Sequence, residues 1–157
     1  MNTNLFPVRA LGSTNFREAL AVAGDATAVN ALPGVPAIGS RRFLIRAVSV
    51  LAEEHIGMTF LFFASTAAPT ADVDTDRFVS SLGFTIGQGI QYDGAGLWRY
   101  YVDSMAVPYY MDGSGNSLNP PTLNVALQLQ GATAKSAGDD GEVSATFWLE
   151  PLSPMMS

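Results

Sequence analysis

Cysteine does not occur in this chain of 157 residues. Its absence excludes disulfides, thiolate nucleophiles and cysteine-ligated zinc or iron–sulfur sites, and leaves the redox compartment open. Charge is scarce too: 14% of the residues are charged, against roughly 25% in ordinary soluble domains. A free surface so poor in charge is expected to be covered in part by partners. Of the eight basic residues only Lys135 is a lysine, and the net charge is −6. With no basic stripe to follow a phosphate backbone, nucleic-acid binding is not expected. Long hydrophobic runs are also missing. The strongest, "FLIRAVSVLA", is interrupted by Arg46 and has about half the length that a membrane span needs, so no membrane segment is predicted. The opening "MNTNLFPVRALGS" has neither a basic stretch leading into a long apolar one nor a small-residue cleavage site. Folding in the cytoplasm where the chain is made is the expectation.

What the sequence does have is period-2 alternation. In "LNVALQLQ", Leu123, Val125, Leu127 and Leu129 fall on one face and Asn124, Ala126, Gln128 and Gln130 on the other, the pattern of a half-buried strand. "GEVSATFWLEP" repeats it, with Val143, Ala145, Phe147 and Leu149 inward and Trp148 outward. Between them "GATAKSAGDDG" allows either a hairpin or a crossing between sheets. "RRFLIRAVSVLAEE" and "MTFLFFAS" read as two strands joined at "HIG", the second apolar on both faces and therefore central. "RFVSSLGFTIGQGI" is expected to be one strand, with Leu82, Phe84 and Ile86 on one face and glycines 83, 87 and 89 marking bulges or close backbone approach. "LWRYYVDSM" and "AVPYYMD" follow, and Pro108 indicates an edge or a strand start.

One domain suits this length. About seven or eight short strands, spaced by turns of Gly, Pro and Asp, predict an all-β fold, a single-domain antiparallel β-sandwich of jelly-roll type. The sandwich is expected over residues 41–153. Residues 1–40 read as an extended Pro/Gly-containing N-terminal arm or as early strands, since "ALPGVPAIGS" suits neither a helix nor a central strand.

Candidate sites are few. His55, the only histidine, lies beside Glu53 and Glu54, a set that would polarise an imidazole for general-base work; the competing reading is a solvated turn, because no nucleophile motif accompanies it. Asp72, Asp74 and Asp76 alternate in "DVDTD" and put three carboxylates on one side of an extended segment, where a structural calcium ion would find hard oxygen ligands. They lack the glycine and glutamate of an EF-hand loop, so ordinary solvated turns compete. No cofactor is implied, and no catalytic residue is assigned. In "LWRYYVDS" Trp98, Tyr100 and Val102 share one face and Leu97, Arg99, Tyr101 and Asp103 the other. Arg99 and Asp103 mark the wetter side, which leaves Tyr101, one or both of Tyr109 and Tyr110, and Trp148 as surface rings. Such rings serve subunit contacts and also stack on glycans.

The run from residue 96 to 151, "GLWRYYVDSMAVPYYMDGSGNSLNPPTLNVALQLQGATAKSAGDDGEVSATFWLEP", resembles the C-terminal half of small β-sandwich virion proteins of tailed bacteriophages. The likeness lies in the aromatic strand, the "VPY" step into a D-G turn, the "LNVAL" strand, the "ATAKSAG" loop and the closing strand ending in "EP". It is a similarity of pattern and composition. It implies a virion structural protein made in the host cytoplasm: a capsid decoration (cement) protein of the head, or a tail or fibre component. The partners implied are copies of itself as a homotrimer and the major capsid or another virion protein. The competing class is a receptor-binding, carbohydrate-binding module, and an enzyme built around His55 comes third.

Overall fold

A computed structural model of the chain describes residues 9–28, 30–31, 42–65, 78–92, 94, 96–102, 107–110 and 122–151. Within them the strands are β1 (Arg9–Phe16), β2 (Asn30–Ala31), β3 (Arg42–Ala52), β4 (Gly57–Ser65), β5 (Phe78–Phe84), β6 (Ile90–Tyr92), β7 (Leu97–Val102), β8 (Val107–Tyr110), β9 (Thr122–Gln130) and β10 (Val143–Pro151). Two short 3-10 turns, Ile86–Gln88 and Asp139–Gly141, complete the described elements.

One sheet runs β1-β10-β3-β7-β6, with β8 also on β3, and the other runs β2-β9-β4-β5. Every pairing is antiparallel. β7 and β8 lie against successive stretches of β3, Val48–Ala52 and Arg42–Ile45, so together they fill one place in the sheet. With that merger the two sheets have the strand order of a jelly roll, and β6 is an added strand at one margin. The all-β antiparallel sandwich expected from the sequence is the fold the chain adopts.

The connections follow from this order. β3 passes to β4 in the other sheet through residues 53–56, and β9 passes to β10 through 131–142, so the glycine and aspartate stretch after β9 crosses between sheets and makes no hairpin. β1 pairs with β10 from Arg9↔Leu149 to Phe16↔Val143, and β2 pairs with β9. Residues 9–16 and 30–31 are therefore early strands of the sandwich itself; residues 32–40 lie outside the described set. Pro108 sits opposite Leu44 in β8. Among the described strands β8 pairs with β3 alone, an edge place of the kind to which proline is confined in sheets.

Alternation puts one face of each sheet inward. Val125, Leu127 and Leu129 on β9 and Val143, Ala145 and Phe147 on β10 are all buried. β4 lies between β9 and β5, and it buries Met58, Phe60 and Phe62 inward while Thr59 and Leu61 are buried on its other face. Phe60 is the hub of the core: its ring centroid lies 5.9 Å from Phe16, 6.1 Å from Phe84 and 5.4 Å from Phe147, the last two edge-on. Edge-to-face contacts of this kind add to the hydrophobic gain of burial. One part of the sequence expectation fails. β5 ends at Phe84, and Ile86 opens a 3-10 turn and is exposed. The Thr85 N–H donates to Gln88 Oε1 at 2.7 Å and the Gln88 N–H to Thr85 O at 3.0 Å, bonds that close the chain on itself and stop the ladder.

Phe60→Ala is expected to cost about 3–5 kcal/mol of stability, the usual loss for emptying a buried aromatic site. Urea unfolding of the variant against the parent measures it.

Candidate interaction surface

β6 and β7 form a hairpin in the register Ile90↔Arg99, Gln91↔Trp98, Tyr92↔Leu97. Its turn uses Gly94 at φ 63° and Gly96 at φ 85°, left-handed conformations that glycine adopts without strain. The hairpin fixes which rings face in. Tyr100 is fully buried, Trp98 and Val102 pack partly buried against the core, and Tyr101 is 47% exposed on the opposite face.

Tyr100 anchors this margin from inside. Its hydroxyl donates to Ile56 O at 2.6 Å and accepts from the Ile56 N–H at 3.1 Å, pinning the corner where the chain crosses from β3 to β4. Burial raises its pKa above the ordinary 10.0, opposed by the hydrogen bond to Ile56. The ring lies against backbone. A methyl group on Gly89 would stand 2.7 Å from Tyr100 Cζ and Oη, so this glycine serves the close approach anticipated for "GQG".

His55 belongs to the same corner. Its ring stacks on Trp98 at 3.7 Å between centroids and 6° between planes, and its Nε2 lies 2.6 Å from Ile86 O. It is half-buried and cements the β3–β4 crossing to the turn before β6, which neither the general-base reading nor the solvated-turn reading anticipated. The Glu54 carboxylate is engaged by the Ser136 N–H and Oγ at 2.7 and 2.6 Å, so it is not the histidine's partner.

Outside this anchor lies an apolar and aromatic surface. Ile90 is 72% exposed, Tyr92 50% and Leu51 40%, and Leu51 lies opposite Arg99 across β3 and β7. The Arg99 guanidinium sits 4.9 Å from the Tyr101 ring centroid. Gln88, Ile90, Gln91, Tyr92, Arg99 and Tyr101 line a shallow groove of about 280 Å³. Tyrosine and arginine are among the residues that protein contacts favour.

Electrostatics single out Arg99. Arg17 pairs with Glu142 at 2.8 Å and Asp139 at 3.3 Å, and Arg46 with Glu150 at 2.6 Å. Lys135, only 2% exposed, donates to Glu18 O at 2.8 Å and Ser136 O at 3.2 Å. Its burial lowers its pKa, with the charges of Glu18, Glu54 and Glu142 acting in the opposite sense. Among the cations with described side chains, Arg99 alone has only a ring for company.

The surface rings expected from the sequence divide as follows. Tyr101 lies in the groove. Trp148 is half-buried, opposite Ala47, on the same outer face but one strand beyond β3. Tyr109 and Tyr110 pair with Phe43 and Arg42 in β8, and their side chains are outside the described set, as are Asp72, Asp74 and Asp76 with the calcium expectation they carry. Among the described residues no three acidic or histidine side chains stand together as metal ligands. Sequence reasoning missed Ile90, Tyr92 and Leu51. The signal for the first two is a three-residue strand, too short for any periodicity to register.

No family model matches the chain, and no curated protein matches it either. Among solved structures, a chain of Cocksfoot mottle virus aligns with 94% of this chain and 96% of its own at 10% identity and a TM-score of 0.34. A chain of turnip yellow mosaic virus aligns over 100% and 86% at 16% identity and 0.30, and one of Desmodium yellow mottle tymovirus over 96% and 93% at 15% identity and 0.27. At such scores these likenesses add nothing to the fold assignment, which rests on the strand order itself.

Tyr100→Phe leaves the buried N–H and C=O of Ile56 without their partner and is expected to cost about 1–3 kcal/mol. Because the folded pKa is raised, the tyrosine's contribution is complete below pH 10.0 and is lost as pH rises through the folded value. The gap between parent and variant in urea unfolding should therefore be constant at neutral pH and shrink on the alkaline side. A second expectation concerns Lys135: an amine-acylating reagent should leave it unmodified in the folded protein and modify it once urea opens the fold, as peptide mass mapping would show.

Proposed function

We propose that the chain is a structural subunit of a virus particle, working through contact with copies of itself and with other particle proteins. The observation that carries this reading is the surface of Ile90, Tyr92, Arg99 and Tyr101 on a jelly roll whose described core is packed with large aromatic side chains. Jelly rolls serve viral capsids, lectins and cupins alike, so the choice rests on the site and not on the fold. Phe16, Phe60, Phe62, Phe84, Tyr100 and Phe147 are buried between the sheets, where an enclosed ligand would need room. On the outside, the guanidinium over Tyr101 occupies a ring face that a sugar would stack on, while an arginine on a tyrosine amid apolar side chains suits a protein contact.

The finer form of the proposal, supported by the resemblance of residues 96–151, is a decoration protein on the head of a tailed phage. It would bind the major capsid protein as a homotrimer and tie neighbouring capsomers together, stabilising by mass action whatever state it binds. A second reading, a glycan-binding tail or fibre module, draws on Tyr92, which stands exposed beside the amides of Gln88 and Gln91 in the groove.

Light scattering of the purified protein across dilution, with and without a calcium chelator, together with co-sedimentation on empty phage heads, tests the proposal. A chelator-insensitive oligomer that builds or binds particles is the expected result. A monomer that neither forms nor binds particles and retains a saccharide, losing it on Tyr92→Ala, would replace this reading with the glycan-binding one.

A further inference from the structure

Among the described residues, the surface around Leu51 holds both signs of charge and pairs neither. Arg99 lies directly opposite Leu51 across the β3–β7 ladder, and Glu53 follows two residues after Leu51. Diagonal neighbours in a sheet stand about 7–8 Å apart, within reach of long side chains, yet no ion pair joins Arg99 to Glu53 among the described residues. Both side chains are exposed. Among the described residues Arg99 meets only the Tyr101 ring, while Arg17 and Arg46, the other arginines with described side chains, have carboxylates at hand.

Such a patch is complementary to itself. In an isologous pair the same surface appears on both partners, and a two-fold axis running between Arg99 and Glu53 sets the arginine of each copy on the glutamate of the other. The axis then passes over Leu51 and Leu97, whose apolar side chains form the centre of the contact, with Ile90 and Tyr101 beside it. An unrelated acidic partner would answer Arg99 and leave Glu53 facing like charge. A second copy answers both with one contact, and that double match selects it as the occupant.

We infer that the outer face of β6, β7 and the end of β3 is a two-fold contact between copies of this chain, with Arg99 of each meeting Glu53 of the other around Leu51 and Leu97. The inference rests on the structural-subunit reading, whose partner it names. Where a second surface builds a trimer, this contact would join trimers in pairs.

Charge reversal provides the test. By sedimentation equilibrium the parent protein should have twice the mass of its smallest unit. Arg99→Glu and Glu53→Arg, each checked by circular dichroism for an unchanged melt, should each halve that mass by weakening the contact about thirtyfold or more, the scale of a central charged anchor. An equal mixture of the two variants should regain the doubled mass, and the double variant should pair on its own. The contact is wrong if the parent shows no paired species, if Arg99→Glu associates like the parent, or if the mixture stays at the smaller mass. Particle assembly separates the two ideas. Particles built from Arg99→Glu as readily as from the parent overturn this contact and leave the subunit reading standing, whereas pairing lost on Arg99→Glu in a protein that neither forms nor binds particles overturns the subunit reading and leaves the contact.

Discussion

The position of the Phe60 ring between the sheets constrains nearly everything outside them. Three aromatic neighbours, contributed by β1, β5 and β10, close around it, and a strand that offers a ring to this centre has no freedom left in its register. Shifting β10 by one residue would turn Phe147 out and Trp148 in. The same holds for β7, where the buried hydroxyl of Tyr100 adds a polar restraint to the packing one. With Tyr100 held on Ile56, its neighbours Arg99 and Tyr101 have the outer face as their only place. The exposed surface is thus the reverse side of the core and inherits its rigidity from it.

That origin explains what could be read in the sequence. Long strands with clean alternation declare their inner faces, as Val125, Leu127 and Leu129 do on β9 and Val143, Ala145 and Phe147 do on β10. The split of "LWRYY" into a buried Tyr100 and an exposed Tyr101 was legible for the same reason, helped by Arg99 marking the wet side. Ile86 was misplaced because alternation persisted on paper after the backbone had turned: the bond from the Thr85 N–H to Gln88 Oε1 is local side-chain chemistry that competes with the ladder and carries no periodic signature. His55 was unreadable for a different reason. Its partners, Ile86 O and the Trp98 ring, are distant in the chain, and only the crossing of β3 to β4 brings them together.

The electrostatic pattern is one of economy. Of the four cations with described side chains, three act inside the fold: Arg17 at the β1 end of the sandwich, Arg46 on Glu150, and Lys135 enclosed with its ammonium on two backbone carbonyls. Enclosure of a lone lysine is costly unless its hydrogens are bonded, and these carbonyls, with three glutamates near enough to act on its charge, meet that need. Among the described side chains Arg99 is the one cation left outside this arrangement, stacked on the Tyr101 ring.

The pairing of β1 with β10 has a consequence of another kind. Arg9 and Leu149 are cross-strand partners, so the polypeptide enters and leaves the described sandwich through one doorway, at the end away from His55 and Lys135. The two ends of the described sandwich are therefore neighbours in one sheet. A tag, a binding motif or a foreign domain grafted directly at one of these ends would begin beside the other, and two such grafts would experience one another at high effective concentration.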